Sequence, residues 1–287
     1  MKRPLQLAAL CCTAACAGGG GTSSPAAPPA PTPAARPAAP APVLLGPARM
    51  RYLVRQDVHI QQDFAGLPPT MHLGYGLYLT ATVTGPADST GYLASFTVDS
   101  VTVDSGSQIP PQINLASAKG FRVTGRLLPT GEFTNPIPSD SNTASSLGNM
   151  LPRFRSFFPR LPAGGVRPDT AWTDSTTTTE SAMGSSITTT VQSRRTATTW
   201  VERGGVRALR IEVAAQYQFN GTGEQGGAAF IIAGTGMGGG IQYLAGDGRY
   251  LGGEAHDSTT MTIDLPAQGL TIPRRQTANT TVTALVP

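Results

Sequence analysis

Apolar side chains recur at every second residue along much of the chain beyond residue 48. Because successive side chains of a β-strand point to opposite faces, this period predicts strands with one buried and one solvated face. The clearest run has apolar members Leu209, Ile211, Val213, Ala215, Tyr217 and Phe219. Residues 50 to 60, 71 to 83, 261 to 265 and 282 to 286 repeat the pattern. Residues 176 to 201 are predicted as strands from their many β-branched threonines.

Turn-forming sequences separate these runs and predict hairpins, and therefore a mainly antiparallel sheet. They are GPADSTG at 85 to 91, DSG at 104 to 106, PTG at 129 to 131, RGG at 203 to 205, NGTG at 220 to 223 and GDG at 246 to 248. Several candidate strands are longer than the usual five or six residues. We therefore predict one all-β domain over residues 48 to 287, built as a long curled sheet or half-barrel; a β-sandwich is the alternative.

One segment, near residues 141 to 159, has helical instead of alternating spacing. Its apolar members are Leu147, Met150, Leu151, Phe154, Phe157 and Phe158. Ser141 or Asn142 could cap the start of a helix, and Pro152 predicts two short helices or a kink near Met150. We expect this short helical insertion to cover the concave side of the sheet.

The first residues have the pattern of an export signal over residues 1 to 15. Lys2 and Arg3 precede an apolar stretch, and small residues follow it. Cleavage before Cys16 would expose this cysteine, and the four residues Thr-Ala-Ala-Cys at 13 to 16 resemble the lipobox of bacterial lipoproteins, although that family prefers leucine at the position of Thr13. We predict lipidation of Cys16, with ordinary cleavage and secretion as the alternative. No segment has the roughly 20 apolar residues that a membrane-spanning helix needs.

Residues 16 to 47 are rich in glycine, proline and alanine, and predict a disordered tether between the anchor and the domain. The three cysteines all lie within the first sixteen residues, so we expect no disulfide in the domain. The chain carries 21 basic and 17 acidic residues, and this small excess gives no reason to predict nucleic acid as a partner.

Residues with catalytic or metal-binding chemistry are few. His59 and His72 occupy polar positions of predicted strands and His256 lies in a turn-rich stretch, so the sequence alone does not bring them together. Spacings such as HExxH, CxxC or GxSxG are missing, and we predict no catalytic residue, no metal site and no cofactor. The glycines of residues 234 to 240 are followed by a predicted hairpin instead of a helix, which favours a closely packed strand pair over a phosphate-binding loop.

Four stretches of the chain together resemble a group of uncharacterised exported bacterial proteins and lipoproteins. They are VTGRLLPTGEF, a segment ending in FFPRLP, RPDTAWTDSTTTT with Trp172, and GDGRYLGGEAHDSTTMTI. This group has no established activity and so implies no catalytic residue. The lipobox, the tether and the long curled sheet are also similar, at the level of the fold, to half-barrel carriers of the LolA and LppX kind, which hold acyl chains.

These observations leave three hypotheses for function. The first is a non-enzymatic lipoprotein of the cell envelope, anchored in the periplasm or outer membrane, whose curled sheet binds an apolar or lipid ligand. The second is a structural or protein-interaction module on the envelope, with an unknown protein partner. The third, which has least support in the sequence, is an envelope hydrolase.

Overall fold

A computed structural model describes residues 41–63, 68–88, 91–109, 115–147, 154–182, 185–225 and 228–285. The predicted signal, Cys16 and the tether as far as residue 40 lie outside the described residues. Within the described residues, no helix is both long enough and apolar enough to cross a membrane.

The described residues form eleven strands and one short α-helix. The strands are β1 (Ala48–Gln62), β2 (Thr70–Asp88), β3 (Gly91–Val103), β4 (Arg122–Leu127), β5 (Phe133–Pro138), β6 (Ala171–Ala182), β7 (Ser185–Arg203), β8 (Val206–Gln225), β9 (Ala228–Ala245), β10 (Tyr250–Leu265) and β11 (Leu270–Leu285). Helix α1 is Ser141–Leu147, and single 3-10 turns lie at Leu115–Ala118, Phe154–Ser156 and Pro266–Gln268.

All eleven strands belong to one sheet, in the order β5-β4-β3-β2-β1-β11-β10-β9-β8-β7-β6. Each pair of neighbours is antiparallel, which confirms the predicted all-β antiparallel fold. Strands that follow one another in sequence pair with each other, with one exception. Strands β5 and β6 do not pair, because they form the two opposite edges of the sheet. The centre of the sheet is instead the pairing of β1 with β11, where Tyr52 lies opposite Ala284.

The sheet is curled and is not closed. Leu127 of β4 and Gly248, between β9 and β10, line the same small cavity together with Phe158. Strands β4 and β10 are five positions apart, which in a flat sheet would separate them by about 24 Å. Curling brings the two arms of the sheet around one core, and this confirms the predicted curled sheet over the alternative of a sandwich.

One face of the sheet carries this core, and we call it the inner face. On β1 it bears Met50, Tyr52, Val54 and Ile60, all buried, as the alternation predicted. The Tyr52 hydroxyl donates a 2.9 Å hydrogen bond to the Tyr250 carbonyl oxygen, so the one polar group of this side chain is satisfied inside the core.

The predicted helical insertion is present as helix α1 and the 3-10 turn at Phe154–Ser156. Helix α1 is capped by Asp140, whose Oδ1 accepts a 2.6 Å hydrogen bond from the Thr143 amide, so the predicted cap at Ser141 or Asn142 was wrong by one residue. Phe157 and Phe158 are buried against the inner face, as predicted for this segment. The predicted kink near Met150 and Pro152 lies outside the described residues.

The prediction of a turn at residues 220 to 223 was wrong, because β8 continues through them to Gln225. Gly221 and Gly223 point to the inner face, where neighbouring side chains occupy the space that a Cβ would need. A Cβ at Gly223 would lie 2.4 Å from Cζ of Phe230, which is directly opposite on β9. These glycines serve close packing across strands, not chain reversal.

The packed domain begins ahead of the predicted boundary at residue 48. Val43 and Leu45 are buried, and Val43 exchanges backbone hydrogen bonds of 2.8 and 2.9 Å with Val166. The physical reason is the apolar run Val43-Leu44-Leu45, which interrupts the proline- and alanine-rich composition and can be buried.

Candidate functional site

The core end of the inner face is filled by aromatic side chains. Phe157 makes edge-on contacts with Tyr52 and Phe96, at centroid distances of 5.1 Å each, and with Tyr250 at 5.7 Å. The cavity beside them measures about 10 Å³, which is the space of one water molecule at most. A ligand of the size of an acyl chain therefore has no room in this part of the molecule.

Further along β7 to β10 the inner face is open. We call this surface the distal inner face; its apolar members are Ile187, Val191, Tyr217, Phe219, Phe230, Ile232, Met261 and Ile263. Each of these side chains is only partly buried. Among the described elements, extensive contacts to these strands come only from neighbouring strands and from the turn Pro266–Gln268, which touches β9. Among the described elements, the distal inner face is thus an apolar surface without a covering layer.

A row of glycines on β9 shapes this surface. Gly234, Gly236, Gly238 and Gly240 all point to the inner face, between β8 and β10. A Cβ at Gly240 would lie 2.1 Å from the Glu254 carbonyl oxygen, so β9 and β10 approach too closely there for any other residue. The predicted closely packed strand pair is confirmed, and the glycines leave a trough between the larger side chains of β8 and β10.

Isoleucines form a row across the strands next to this trough. Ile232 lies opposite Ile263 on β10, and Ile263 lies opposite Ile272 on β11. On the other side, Ile232 lies opposite Gly221 of β8, which lies opposite Ile187 of β7. The row thus has four isoleucines over five strands, with Gly221 as its β8 member, and its partly exposed members Ile187, Ile232 and Ile263 offer aliphatic surface to an elongated apolar group.

Polar groups border the apolar surface, and two of their donor atoms have no hydrogen-bond partner among the described residues. Arg274 lies opposite Met261, and burial lowers the pKa of its guanidinium. Its terminal nitrogen donates to Gln276 Oε1 at 3.4 Å, whereas its Nε is buried without a hydrogen-bond acceptor. The Oγ1 of Thr259, which lies opposite Gln276, is also buried without a partner. Both groups could donate to an anionic oxygen at this end of the surface.

A second cation, Arg195, lies on the inner face nearer the core. Its guanidinium is 3.3 Å from Asp174 Oδ2. Burial lowers the pKa of Arg195, and the neighbouring Asp174 opposes this effect. Because Arg195 already has a carboxylate partner, it is less suited than Arg274 to receive the charge of a ligand.

The sequence alone did not bring any of the histidines together, but the structure places two of them side by side. His59 of β1 lies directly opposite His72 of β2, and their rings stack with centroids 4.7 Å apart. Asp57 contacts both rings: its Oδ1 is 2.8 Å from Nε2 of His59, and its Oδ2 is 3.5 Å from Nε2 of His72. All three lie on the outer face of the sheet, opposite to the core. The missed signal was the spacing Asp-x-His on one strand combined with the register of the β1–β2 hairpin.

His256 also lies on the outer face, apart from this cluster. Its Nδ1 is 2.6 Å from Oδ1 of Asn279, and Asn279 lies opposite Asp57 in the β1–β11 pairing. The polar and ring contacts of the His59 and His72 side chains among the described residues are with each other and with Asp57. The predicted lipidation site, Cys16, lies outside the described residues.

A scan of the chain against models of protein families finds no match, and a search of curated proteins finds none either.

Proposed function

We propose that this chain is an exported, lipid-anchored protein of the cell envelope that binds an elongated amphipathic ligand on the distal inner face. The observation that carries the proposal is the partly exposed apolar surface around Ile232, which has no covering layer among the described residues. Burial of apolar area contributes about 25 cal/mol per Å², so a ligand that covered this surface would gain several kcal/mol. Membrane attachment through Cys16 and the tether is the part of the proposal that rests on the sequence.

The charge of the ligand is inferred from the polar groups at the end of the surface. Arg274 keeps an unpartnered Nε beside Met261, and Thr259 adds an unpartnered hydroxyl. Leaving buried donors unsatisfied costs about 1–3 kcal/mol each, and an anionic oxygen would remove that cost. The ligand class that fits is therefore an acyl chain with an acidic head group, such as a fatty acid or an anionic lipid.

The first test measures binding of a fluorescent fatty acid, cis-parinaric acid, to the full chain. Ile232→Thr should weaken binding about fivefold, because it replaces inner-face apolar surface by a hydroxyl. Ile231→Thr is the matched control: Ile231 is the adjacent residue on the outer face, 46% exposed, and its replacement should leave binding within about twofold. If both variants lose affinity equally, or if neither variant changes the affinity, the distal inner face is excluded as the binding site.

The second test addresses the head group. Arg274→Gln should weaken binding of the fatty acid but not of the corresponding long-chain alcohol, whereas Arg275→Gln, on the exposed outer face of the same strand, should change neither. Native mass spectrometry of gently purified protein should also show a copurified acyl species. Determination of the intact mass of the mature N-terminus would test the lipid on Cys16 in the same sample.

The alternative function, a protein-interaction module, has one observation in its favour. Strand β6 is an edge of the sheet, and its twelve residues pair only with β7 among the described residues. An open edge can accept an added strand from a partner. Crosslinking in cells, from a photoreactive residue placed at Thr177, should then trap one dominant protein.

A further inference from the structure

We infer that Asp57, His59 and His72 form a binding site for one divalent transition metal ion on the outer face of the sheet. The inference is independent of the ligand proposed above, because the two surfaces lie on opposite faces of the sheet. The ligand atoms of the three side chains all lie within 4.8 Å of one another. Two imidazoles and one carboxylate are a ligand set that zinc and related ions accept.

Backbone geometry fixes the positions of the three groups. Asp57 and His59 are two residues apart on β1 and so project from the same face. His72 faces His59 directly across the β1–β2 pairing. This arrangement puts one ligand at each corner of a triangle on two hydrogen-bonded strands, which is a rigid support. Gly74, opposite Asp57, has no side chain of its own, and the Asp104 carboxylate lies over it, 2.9 Å from where a Cβ would be.

The distances suit a metal ion of this type. A tetrahedral ion with bonds of about 2.0–2.1 Å holds its ligand atoms about 3.3 Å apart. Nε2 of His59 is 2.8 Å from Oδ1 of Asp57 and Nε2 of His72 is 3.5 Å from its Oδ2, so the two separations lie on either side of that value and involve both oxygens of the carboxylate. The side chain of His59 is exposed and can rotate, which would bring its Nε2 to the spacing that a tetrahedral ion requires.

Two of the ligand atoms also lack ordinary partners. Oδ1 of Asp57 and Nε2 of His72 are shielded from solvent, and neither has a hydrogen bond of acceptable angle among the described residues. Shielded polar atoms normally have a hydrogen-bond partner or a metal. A cation bound between them would satisfy both atoms at once.

Two arginines lie near the cluster on the outer face: Arg55, and Arg275, which is opposite Gln61 and diagonal to His59. Arg55 lies on the same face of β1, but it pairs with Asp104 at 3.0 Å, so its charge is compensated. Nitrogen ligands favour zinc, nickel, cobalt or copper over calcium and magnesium, which prefer oxygen. The His59 side chain is 57% exposed, so the cluster can be reached from solvent on that side.

The test is calorimetric titration of the full chain with Zn²⁺, supported by the visible absorption of bound Co²⁺. Cys11, Cys12 and Cys16 are replaced by alanine and no polyhistidine tag is used, so that other strong ligands are removed. We expect one Zn²⁺ per chain, with affinity reduced tenfold or more by His72→Ala and by Asp57→Asn. His256→Ala is the matched control: it removes an imidazole from the same face outside the cluster and should leave the affinity within twofold.

Folding is checked on each variant by circular dichroism and thermal unfolding, because Asp57 and His72 are partly buried. Co²⁺ should give the intense d–d bands of a low-coordinate site, and these bands should disappear in the His59→Ala/His72→Ala double variant. Three results would each overturn the inference: no saturable binding of Zn²⁺, binding that persists in the double variant, or a loss in His256→Ala equal to that in His72→Ala.

Discussion

The Tyr217 hydroxyl of β8 donates a 2.6 Å hydrogen bond to Asp257 Oδ1 of β10, and the bond passes over Gly238 of β9, the strand between them. The absence of a side chain at Gly238 is what allows the two residues to meet, since a Cβ there would lie 2.0 Å from the same oxygen of Asp257. A polar contact thus spans three strands of the distal inner face.

Replacement of Gly238 by alanine should break this contact and lower the free energy of unfolding by about 1–3 kcal/mol, because the added methyl group overlaps the carboxylate. Urea denaturation measures the change. Gly246→Ala is the control: its Cβ would lie 3.7 Å from the Trp200 ring, an ordinary contact, and should cost much less. A loss of similar size in both variants would mean that the effect comes from glycine itself and not from the Tyr217–Asp257 contact.

Three buried tyrosines should make the domain sensitive to alkaline pH. Burial raises the pKa of Tyr52, Tyr75 and Tyr250 above the usual value of about 10. The native state then keeps protons that the unfolded state releases, so stability is complete below about pH 10 and falls above it, by about 1.4 kcal/mol per pH unit for each tyrosine.

Urea denaturation at a series of alkaline pH values checks this expectation. In Tyr52→Phe the free energy of unfolding should fall less steeply with pH, by about 1.4 kcal/mol per pH unit, because one titrating tyrosine is removed. At neutral pH the same variant should be less stable by about 1–3 kcal/mol, because the Tyr250 carbonyl loses its donor. Tyr78→Phe, on the partly exposed outer face of β2, is the control variant. An unchanged slope in Tyr52→Phe would show that other groups govern alkaline unfolding.

Phe157 should be among the side chains that contribute most to stability. It is 6% exposed and contacts four other aromatic rings. Phe157→Ala should lower the free energy of unfolding by about 3–5 kcal/mol, since it opens a cavity in a filled core. Leu93→Ala, at a position that is 56% exposed, should change it by less than about 0.5 kcal/mol. A small effect of Phe157→Ala would mean that this loop is not part of the cooperative core.

The segment ahead of β1 gives a fourth prediction. Leu45 is 3% exposed, and its amide donates a 2.9 Å hydrogen bond to the Pro129 carbonyl oxygen. Leu45→Ala should cost about 2–5 kcal/mol. Val103→Ala, at a 47% exposed position, serves as the comparison. If the two variants unfold at the same urea concentration, residues 43 to 45 belong to the tether, as the sequence alone predicted.

Local signals in the sequence were enough to predict the strands, because alternation depends only on which face of a strand is buried. The same signals failed at Gly221 and Gly223, because glycine occurs both in turns and in closely packed strands. The sequence predicted a turn at these two residues, whereas in the structure they permit close packing between strands. The pairing of β1 with β11 was not accessible either, since no local pattern links strands so far apart in the chain.

The Asp57–His59–His72 cluster shows the same limit. The face of each residue followed from its strand, but their proximity depended on the register across the β1–β2 hairpin, which the sequence does not fix. The sequence also could not distinguish the distal inner face from the filled core, because the strands have the same alternating pattern in both regions. Only the position of the loop with Phe157 and Phe158 distinguishes them.

The central pairing of β1 with β11 also constrains how the domain can fold. Until β11 is present, β1 has an unpaired edge next to the future core, and the hairpins β1 to β5 cannot complete the sheet by themselves. Contacts between such distant segments form slowly, because a long loop must close first. Completion of the sheet must therefore wait until β11 has been synthesised and is free to pair with β1.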